Sequence, residues 1–206
     1  MTTTHLVTAL GLATALCACV DGATTTPETS TTAVELKSPA SLCPTGTPAA
    51  LAPAADQTIA FHLDAQGVQR YACVASTTGY AWTFIAPGAD LFRPGGDHGF
   101  AVHHFAGPTW LADDSSSIRG AKVAGATVDA TAIPWLLLDV VGHGGQAGVM
   151  SNISTIQRLS TTGGLAPATG CDADHVGANA DVLYTARYFF YTTNAEHPEH
   201  NVRCGG

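Results

Sequence analysis

Residues 58–63 read TIAFHL, and this stretch decides the fold class because its large apolar side chains recur at every second position. The two phases of the alternation are Ile59, Phe61 and Leu63 on one side and Thr58, Ala60 and His62 on the other. Successive side chains of a β-strand point to opposite faces of the sheet. The pattern therefore predicts a strand with one buried face.

Alternating runs of the same kind recur toward the C-terminus, at residues 81–84, 100–104, 153–159 and 182–192. Clusters of Gly, Pro and Asp bound these runs, as at 86–88, 94–97 and 162–164. Several short strands separated by turn signals are typical of all-β domains. The sequence predicts a mainly β, single-domain protein, either a β-sandwich or a small β-barrel, with long Gly- and Pro-rich loops.

Residues 133–141, IPWLLLDVV, form a continuous apolar run that fits either a central strand or a short buried helix. Periodicity alone does not separate the two. The flanking segments have strand patterns, so we interpret this run as a strand as well.

The charge balance excludes one class of partner. Only 12% of the 206 residues are charged, and the formal net charge is -8. Nucleic-acid binding needs clustered Lys and Arg, and the chain has no basic run. An acidic surface is also repelled by anionic lipid headgroups, so any attachment to a membrane must be covalent or hydrophobic.

The N-terminal residues predict export. Residues 6–18 form an apolar stretch that is too short to span a bilayer and matches the core of a signal peptide. It ends in LCAC (16–19), which resembles a bacterial lipobox, so we predict a signal peptide at 1–18 and a lipid anchor on Cys19. The segment before the apolar stretch lacks Lys and Arg, and the alternative is ordinary cleavage near residues 18–23, which releases a secreted protein.

The segment that follows, residues 19–40, is rich in Thr, Ser and Pro and is predicted to be a flexible tether. The predicted location is thus the bacterial cell envelope, with the membrane reached through Cys19, or the exterior if Cys19 is unmodified.

Four cysteines remain after the leader and Cys19: Cys43, Cys73, Cys171 and Cys204. An even number of cysteines in an exported chain implies disulfides, and four cysteines allow three pairings. A zinc site is disfavoured because no two of the four have the close spacing of structural zinc ligands.

Five stretches in order resemble the DUF3455 domain of secreted bacterial and fungal proteins. They are GVQRYAC (67–73), HHFAGPTW (103–110), AIPWLLLDVVGHGG (132–145), IQRLSTTGGLAPATGCD (156–172) and YTARYFFY (184–191). The resemblance covers residues 41–192 and leaves a tail, 193–206, tied by Cys204. It implies a Cys73–Cys171 bridge and leaves Cys43 to pair with Cys204. The family has no established activity.

Some fungal members of the family carry the label malate dehydrogenase, but this sequence does not fit a nicotinamide enzyme. Such enzymes need a strand, a GxGxxG turn and a helix. The glycine-rich stretch GHGGQAG (142–148) has no helical pattern after it. We predict no cofactor.

Candidate site residues each have a competing structural interpretation. His104 shares a strand phase with Phe100 and Val102, so it points inward, either as a ligand-binding group or general base or as a satisfied core histidine. Trp110 offers a flat face for stacking or simply fills the core. Gln69 and Tyr71 share a face and need hydrogen-bond partners, from a ligand or from the backbone. Packing is the simpler interpretation for each.

Metal binding is disfavoured. Asp113 and Asp114 lie in a serine-rich loop that could hold calcium, but turn hydrogen bonding explains them more simply. His103 and His104 are strand neighbours and point to opposite faces, so they cannot share one site. No metal site is predicted.

The sequence predicts a non-enzymatic binding module whose pocket is lined by Gln69, Tyr71, His104, Trp110 and Lys122. Its ligand would be a small molecule or an envelope polymer. The alternatives are a hydrolase with His104 as base and a purely structural envelope protein. A carboxylate bonded to His104 would favour the hydrolase. An enclosed His104 bonded to backbone would remove the main support of both functional interpretations.

Overall fold

Eight antiparallel strands make up most of the described chain, which in this computed structural model comprises residues 43–95 and 97–193. The strands are β1 (Thr58–Ser76), β2 (Gly79–Arg93), β3 (Asp97–Phe105), β4 (Thr109–Ala112), β5 (Ser116–Ala126), β6 (Trp135–Gly145), β7 (Thr155–Gly163) and β8 (Asn179–Thr192). Short 3-10 turns lie at Ala49–Leu51 and Ala173–His175. The side chains of Asp97, His98 and Phe100 are not described.

Three of the sequence predictions fall outside these residues. The signal peptide (1–18), the tether (19–40) with Cys19, and residues 194–206 with Cys204 are not among the described residues. They stay predictions.

The sheet closes on itself. Each strand pairs with the next one along the chain, and β8 pairs back with β1, where Tyr188 lies opposite Leu63. β1 is the longest strand, at 19 residues, and it pairs with both neighbours over most of its length. The mainly β prediction is confirmed, and of the two architectures that the sequence left open the chain adopts the barrel.

The interior of the barrel is the main hydrophobic core, because its cluster of buried side chains draws members from all eight strands. Small residues such as Ala65, Ala89 and Ala112 leave room for the large rings of Trp110 and Tyr188. An eight-stranded barrel has an interior just wide enough for side chains or one small ligand. The size of each side chain that points inward therefore determines how much of the interior is filled.

A β-bulge changes how the first alternating run is buried. The pairing of β1 with β8 shifts register between Ile59 and Phe61. Ile59 consequently packs in a second cluster outside the barrel, with Leu51 and Phe189, while Leu63 lies in the interior. The strand is present as predicted, but its large apolar residues do not share one face, because an extra residue in one strand reverses the phase of all that follow.

The ambiguous run 133–141 is a strand over most of its length, as predicted, since β6 begins at Trp135. Ile133 precedes the strand and is buried in the barrel core. Thr161 holds it there by donating from its hydroxyl to the Ile133 carbonyl at 2.6 Å.

The longest connection, residues 164–178 between β7 and β8, is tied to β1 by a disulfide between Cys73 and Cys171. This bridge confirms the pairing that the family resemblance implied. The pairing of Cys43 with Cys204 stays a prediction, because Cys204 lies outside the described residues. Among the residues with a described structure, no helix is long and apolar enough to cross a membrane.

Candidate functional site

A cavity of about 250 Å³ opens at the end of the barrel where β3 turns into β4, and all eight strands contribute to its walls. We call it the mouth cavity. Its polar wall consists of Gln69, His104, Trp110, Lys122, Arg158 and Tyr188. Its apolar wall consists mainly of Phe84, Ile85, Pro87, Leu136 and Leu138.

Four of the five residues predicted for a pocket line this cavity: Gln69, His104, Trp110 and Lys122. Tyr71 lies beside it. Its hydroxyl donates to the carbonyl of Gly164 at 2.6 Å, and its ring meets the edge of Phe84 with centroids 5.8 Å apart. Tyr71 thus anchors the loop after β7.

His104 is enclosed. Its side chain is 4% exposed, and Nδ1 lies 2.9 Å from the Thr109 carbonyl oxygen. A carbonyl only accepts, so Nδ1 carries the proton and Nε2 is left as the acceptor. Burial lowers the pKa of His104 to about 4; the nearby Arg158 charge lowers it further, and the bond to Thr109 opposes both. The imidazole is therefore neutral near pH 7.

This geometry answers the question posed by the sequence. The described chain pairs His104 with a backbone carbonyl and with no carboxylate. His104 lacks the carboxylate partner that would favour the hydrolase, and because it is enclosed, neither the hydrolase nor the binding interpretation can rest on it. Support for binding has to come from other residues of the mouth cavity.

Arg158 is the residue that sequence reasoning missed. It lies on β7, opposite Leu136 on β6 and Tyr188 on β8, and it faces the mouth cavity. One terminal nitrogen, Nη2, donates to the Pro134 carbonyl at 2.9 Å. Its Nε atom is buried and has no partner in the described chain. The available signal was its strand phase, because Arg158 follows Ile156 by two positions and Ile156 is a core residue.

Other buried polar atoms around the mouth cavity also lack a hydrogen-bond partner within the described residues. They are Gln69 Nε2, Trp110 Nε1 and the hydroxyls of Tyr184 and Tyr188. Burial raises the pKa of Tyr184 far above its usual range, and the neighbouring Tyr188 raises it further. Tyr184 is close enough to Tyr188 and Gln69 for both to affect its titration, yet neither contact has hydrogen-bond geometry.

The two carboxylates of the loop after β4 accept hydrogen bonds within and around the turn, which is the interpretation that the sequence favoured. Asp114 accepts from the Ser116 hydroxyl at 2.6 Å, from the Ser116 amide at 2.9 Å and from the Val149 amide at 2.8 Å. Asp113 accepts from the Ala101 amide at 2.8 Å. Burial opposes ionisation of Asp114, but its three hydrogen bonds together lower the pKa.

His103 faces outward, away from His104 as predicted, with Nδ1 2.7 Å from a carboxylate oxygen of Asp90. Over residues 43–95 and 97–193, no three His, Cys, Asp or Glu side chains are grouped so that they could hold a metal ion.

Comparison with protein families identifies the domain. A family model described as a protein of unknown function, DUF3455, matches residues 53–192, more than half of the chain. The chain belongs to the DUF3455 family. Searches of the curated proteins and of the solved structures returned no match.

The DUF3455 match contains all eight strands and every residue of the mouth cavity. All residues that line the cavity therefore lie within the part of the chain that matches the family.

Proposed function

We propose that this DUF3455 domain is a non-enzymatic binding module that holds a small molecule in the mouth cavity. The observation that carries the proposal is a group of four residues, Gln69, Trp110, Arg158 and Tyr188, that line one largely apolar cavity and hold buried polar atoms with no partner in the described chain. Buried polar groups in folded proteins are nearly always hydrogen-bonded, to protein, water or ligand.

The shape of the barrel supports a small ligand. The cavity volume of about 250 Å³ is just below the roughly 300–1,000 Å³ of pockets for drug-sized molecules. Apolar walls with a few converging polar groups are typical of such sites. A polymer would need an extended groove, so the small molecule is the better-supported of the two ligand types.

The two alternatives have less support. A hydrolase with His104 as base would need an accessible imidazole oriented by a carboxylate, whereas His104 is buried, its low pKa of about 4 makes it a weak base, and its Nδ1 is bonded to the Thr109 carbonyl. A purely structural protein would satisfy its buried polar groups internally. Around the mouth cavity, several buried polar atoms have no partner in the described chain. Each unpartnered buried donor costs about 1–3 kcal/mol of stability, which a purely structural protein would have no reason to bear.

A ligand screen with two matched variants tests the proposal. Ala106 is exposed and lines the cavity, so Ala106→Trp should block it without disturbing the core. Ala121 is exposed on β5 and lies outside the cavity wall, so Ala121→Trp is the control. We expect fragments detected by ligand-observed NMR to bind the wild type and Ala121→Trp, and to lose binding in Ala106→Trp. Equal binding to all three proteins, or no binder in the screen, would contradict the proposal.

We also propose that the protein is exported and anchored through Cys19. The Cys73–Cys171 bridge supports export, because disulfides persist in oxidising compartments. Mass spectrometry of the protein purified from its membrane fraction tests this directly. We expect a mature chain that begins at Cys19 and carries acyl chains, and a different, unmodified N-terminus would rule out the anchor.

A further inference from the structure

We propose that the ligand of the mouth cavity is a carboxylate, with its anionic group beside Arg158 and Gln69 and a compact apolar body directed toward the opening. This inference rests on the proposed binding function and names the chemical class that the cavity selects.

Three cavity-lining residues hold a buried nitrogen atom without a partner in the described chain, and all three of these atoms are donors. They are Gln69 Nε2, Trp110 Nε1 and Arg158 Nε, which donate hydrogen bonds and do not accept them. The Gln69 and Trp110 side chains are 3% and 1% exposed, so bulk water does not reach them freely. A ligand that bonds to any of these donors must bring an acceptor, and a carboxylate has two oxygens with about four lone-pair sites.

The charge distribution points the same way. The chain has 8 basic and 16 acidic residues, yet the mouth cavity is lined by Lys122 and Arg158 and by no described acidic residue. In the part of the chain that the structure describes, no ion pair involves Arg158 or Lys122. Removing a cation from water is costly unless it gains a counter-ion. An anionic ligand would supply one to Arg158.

One negative charge fits better than two. Two cationic side chains line the cavity, but Lys122 is exposed to solvent. Arg158 is therefore the one cationic lining residue that is partly buried. A monoanion would balance Arg158, and the planar guanidinium matches the geometry of a carboxylate. A dianionic phosphate would leave one charge uncompensated in the barrel, and a cationic ligand would be repelled.

The outer wall suits an apolar body. Phe84 and Ile85, on β2, are 49% and 57% exposed although they line the cavity. Pro87 and Leu136 extend the same apolar wall inward. A ligand whose carboxylate lies deep would cover these side chains with its hydrocarbon part, and apolar surface removed from water stabilises the complex.

Matched probes test the class of ligand. Hexanoate and phenylacetate carry the carboxylate, while hexanamide and phenylacetamide keep the shape without the charge, and hexylamine reverses the charge. We expect calorimetric titration of the wild-type protein near pH 7 to show the carboxylates binding roughly tenfold to a hundredfold more tightly than their amides, and hexylamine not binding.

Two variants locate the contact. Arg158→Gln should remove most of the preference for carboxylate over amide. Gln69→Leu should weaken carboxylate binding. The unliganded variant should be at least as resistant to unfolding as the wild type, because the substitution removes an unpartnered buried amide. This second variant keeps the test valid if Arg158→Gln fails to fold.

The outcomes separate the two proposals. Amides that bind as tightly as carboxylates, or a preference unchanged in Gln69→Leu and Arg158→Gln, would overturn the carboxylate assignment and leave the binding function standing. A protein that binds none of the probes, and no fragment in the Ala106→Trp screen, would overturn both.

Discussion

The indole of Trp110 lies flat against the imidazole of His104, with ring centroids 4.2 Å apart and 9° between the ring planes. Tyr188 meets both rings edge-on. The three aromatic side chains come from three different strands, so they tie one side of the barrel together while forming part of the mouth cavity. The same residues therefore serve both stability and the proposed binding.

The buried His104 predicts a pH-dependent stability. Its pKa of about 4 in the folded protein lies below the value near 6.5 of an unfolded chain. Between these two values the unfolded state binds a proton that the folded state does not, so stability falls as pH drops through this window. The total loss is about 3 kcal/mol. Urea unfolding at pH 7 and pH 4.5 should show a smaller loss for His104→Gln than for the wild type, and identical losses would contradict the assignment.

Two variants of Trp110 distinguish the contribution of its packing to stability from the contribution of its unpartnered N–H group. Its side chain is fully buried, so Trp110→Ala should destabilise the protein by about 3–5 kcal/mol. Trp110→Phe keeps an aromatic face for His104 and removes the unpartnered indole N–H, so we expect a loss below about 1.5 kcal/mol. Denaturant unfolding of both variants measures the difference. Equal losses would mean that the indole nitrogen has a partner that stabilises the barrel.

Gly67 permits the close approach of β1 and β2. A Cβ atom at this position would overlap the Gly88 carbonyl oxygen and lie 2.5 Å from the Ala89 Cα atom. These are backbone atoms in a paired strand and cannot move independently. Gly67→Ala should therefore cost about 3 kcal/mol, or prevent folding.

Gly142 provides the matched control for Gly67. It also lies in a strand, β6, and the nearest atom to a Cβ there is an Arg119 guanidinium nitrogen at 3.6 Å, an ordinary contact. Gly142→Ala should leave the unfolding midpoint nearly unchanged. A midpoint shift as large as that of Gly67→Ala would show that the cost is not steric.

The Cys73–Cys171 disulfide spans a sequence separation of 98 residues. Loss of this cross-link from the unfolded chain should lower stability by about 4 kcal/mol in the Cys73→Ala, Cys171→Ala double variant. Wild-type protein treated with a reductant provides the comparison and should lose at least as much, because reduction also opens the predicted bridge between Cys43 and Cys204. If reduction leaves the unfolding midpoint in place, the bridge contributes little to the stability of the barrel.

The candidate site was only partly predictable from the sequence. The strand phase indicated that His104 points inward, and Gln69 was a candidate because it shares a strand face with Tyr71; His104 and Gln69 both line the mouth cavity. It did not show that the His104 imidazole bonds to the Thr109 carbonyl, because this contact depends on how tightly β3 turns into β4. Arg158 was missed since a lone basic residue in an apolar strand gives no sign of the cavity that it faces.

The sequence by itself determined that the chain is built from alternating β-strands and that it resembles the DUF3455 domains, and this resemblance implied the bridge between Cys73 and Cys171. These features depend on local patterns: the period of two, the turn residues and a recurring set of motifs. Only the tertiary structure decided that the sheet closes into a barrel and that Ile59 lies outside it. It alone gathered Gln69, Trp110, Arg158 and Tyr188 around one cavity, because closure and register depend on bulges and pairings between residues far apart in the chain.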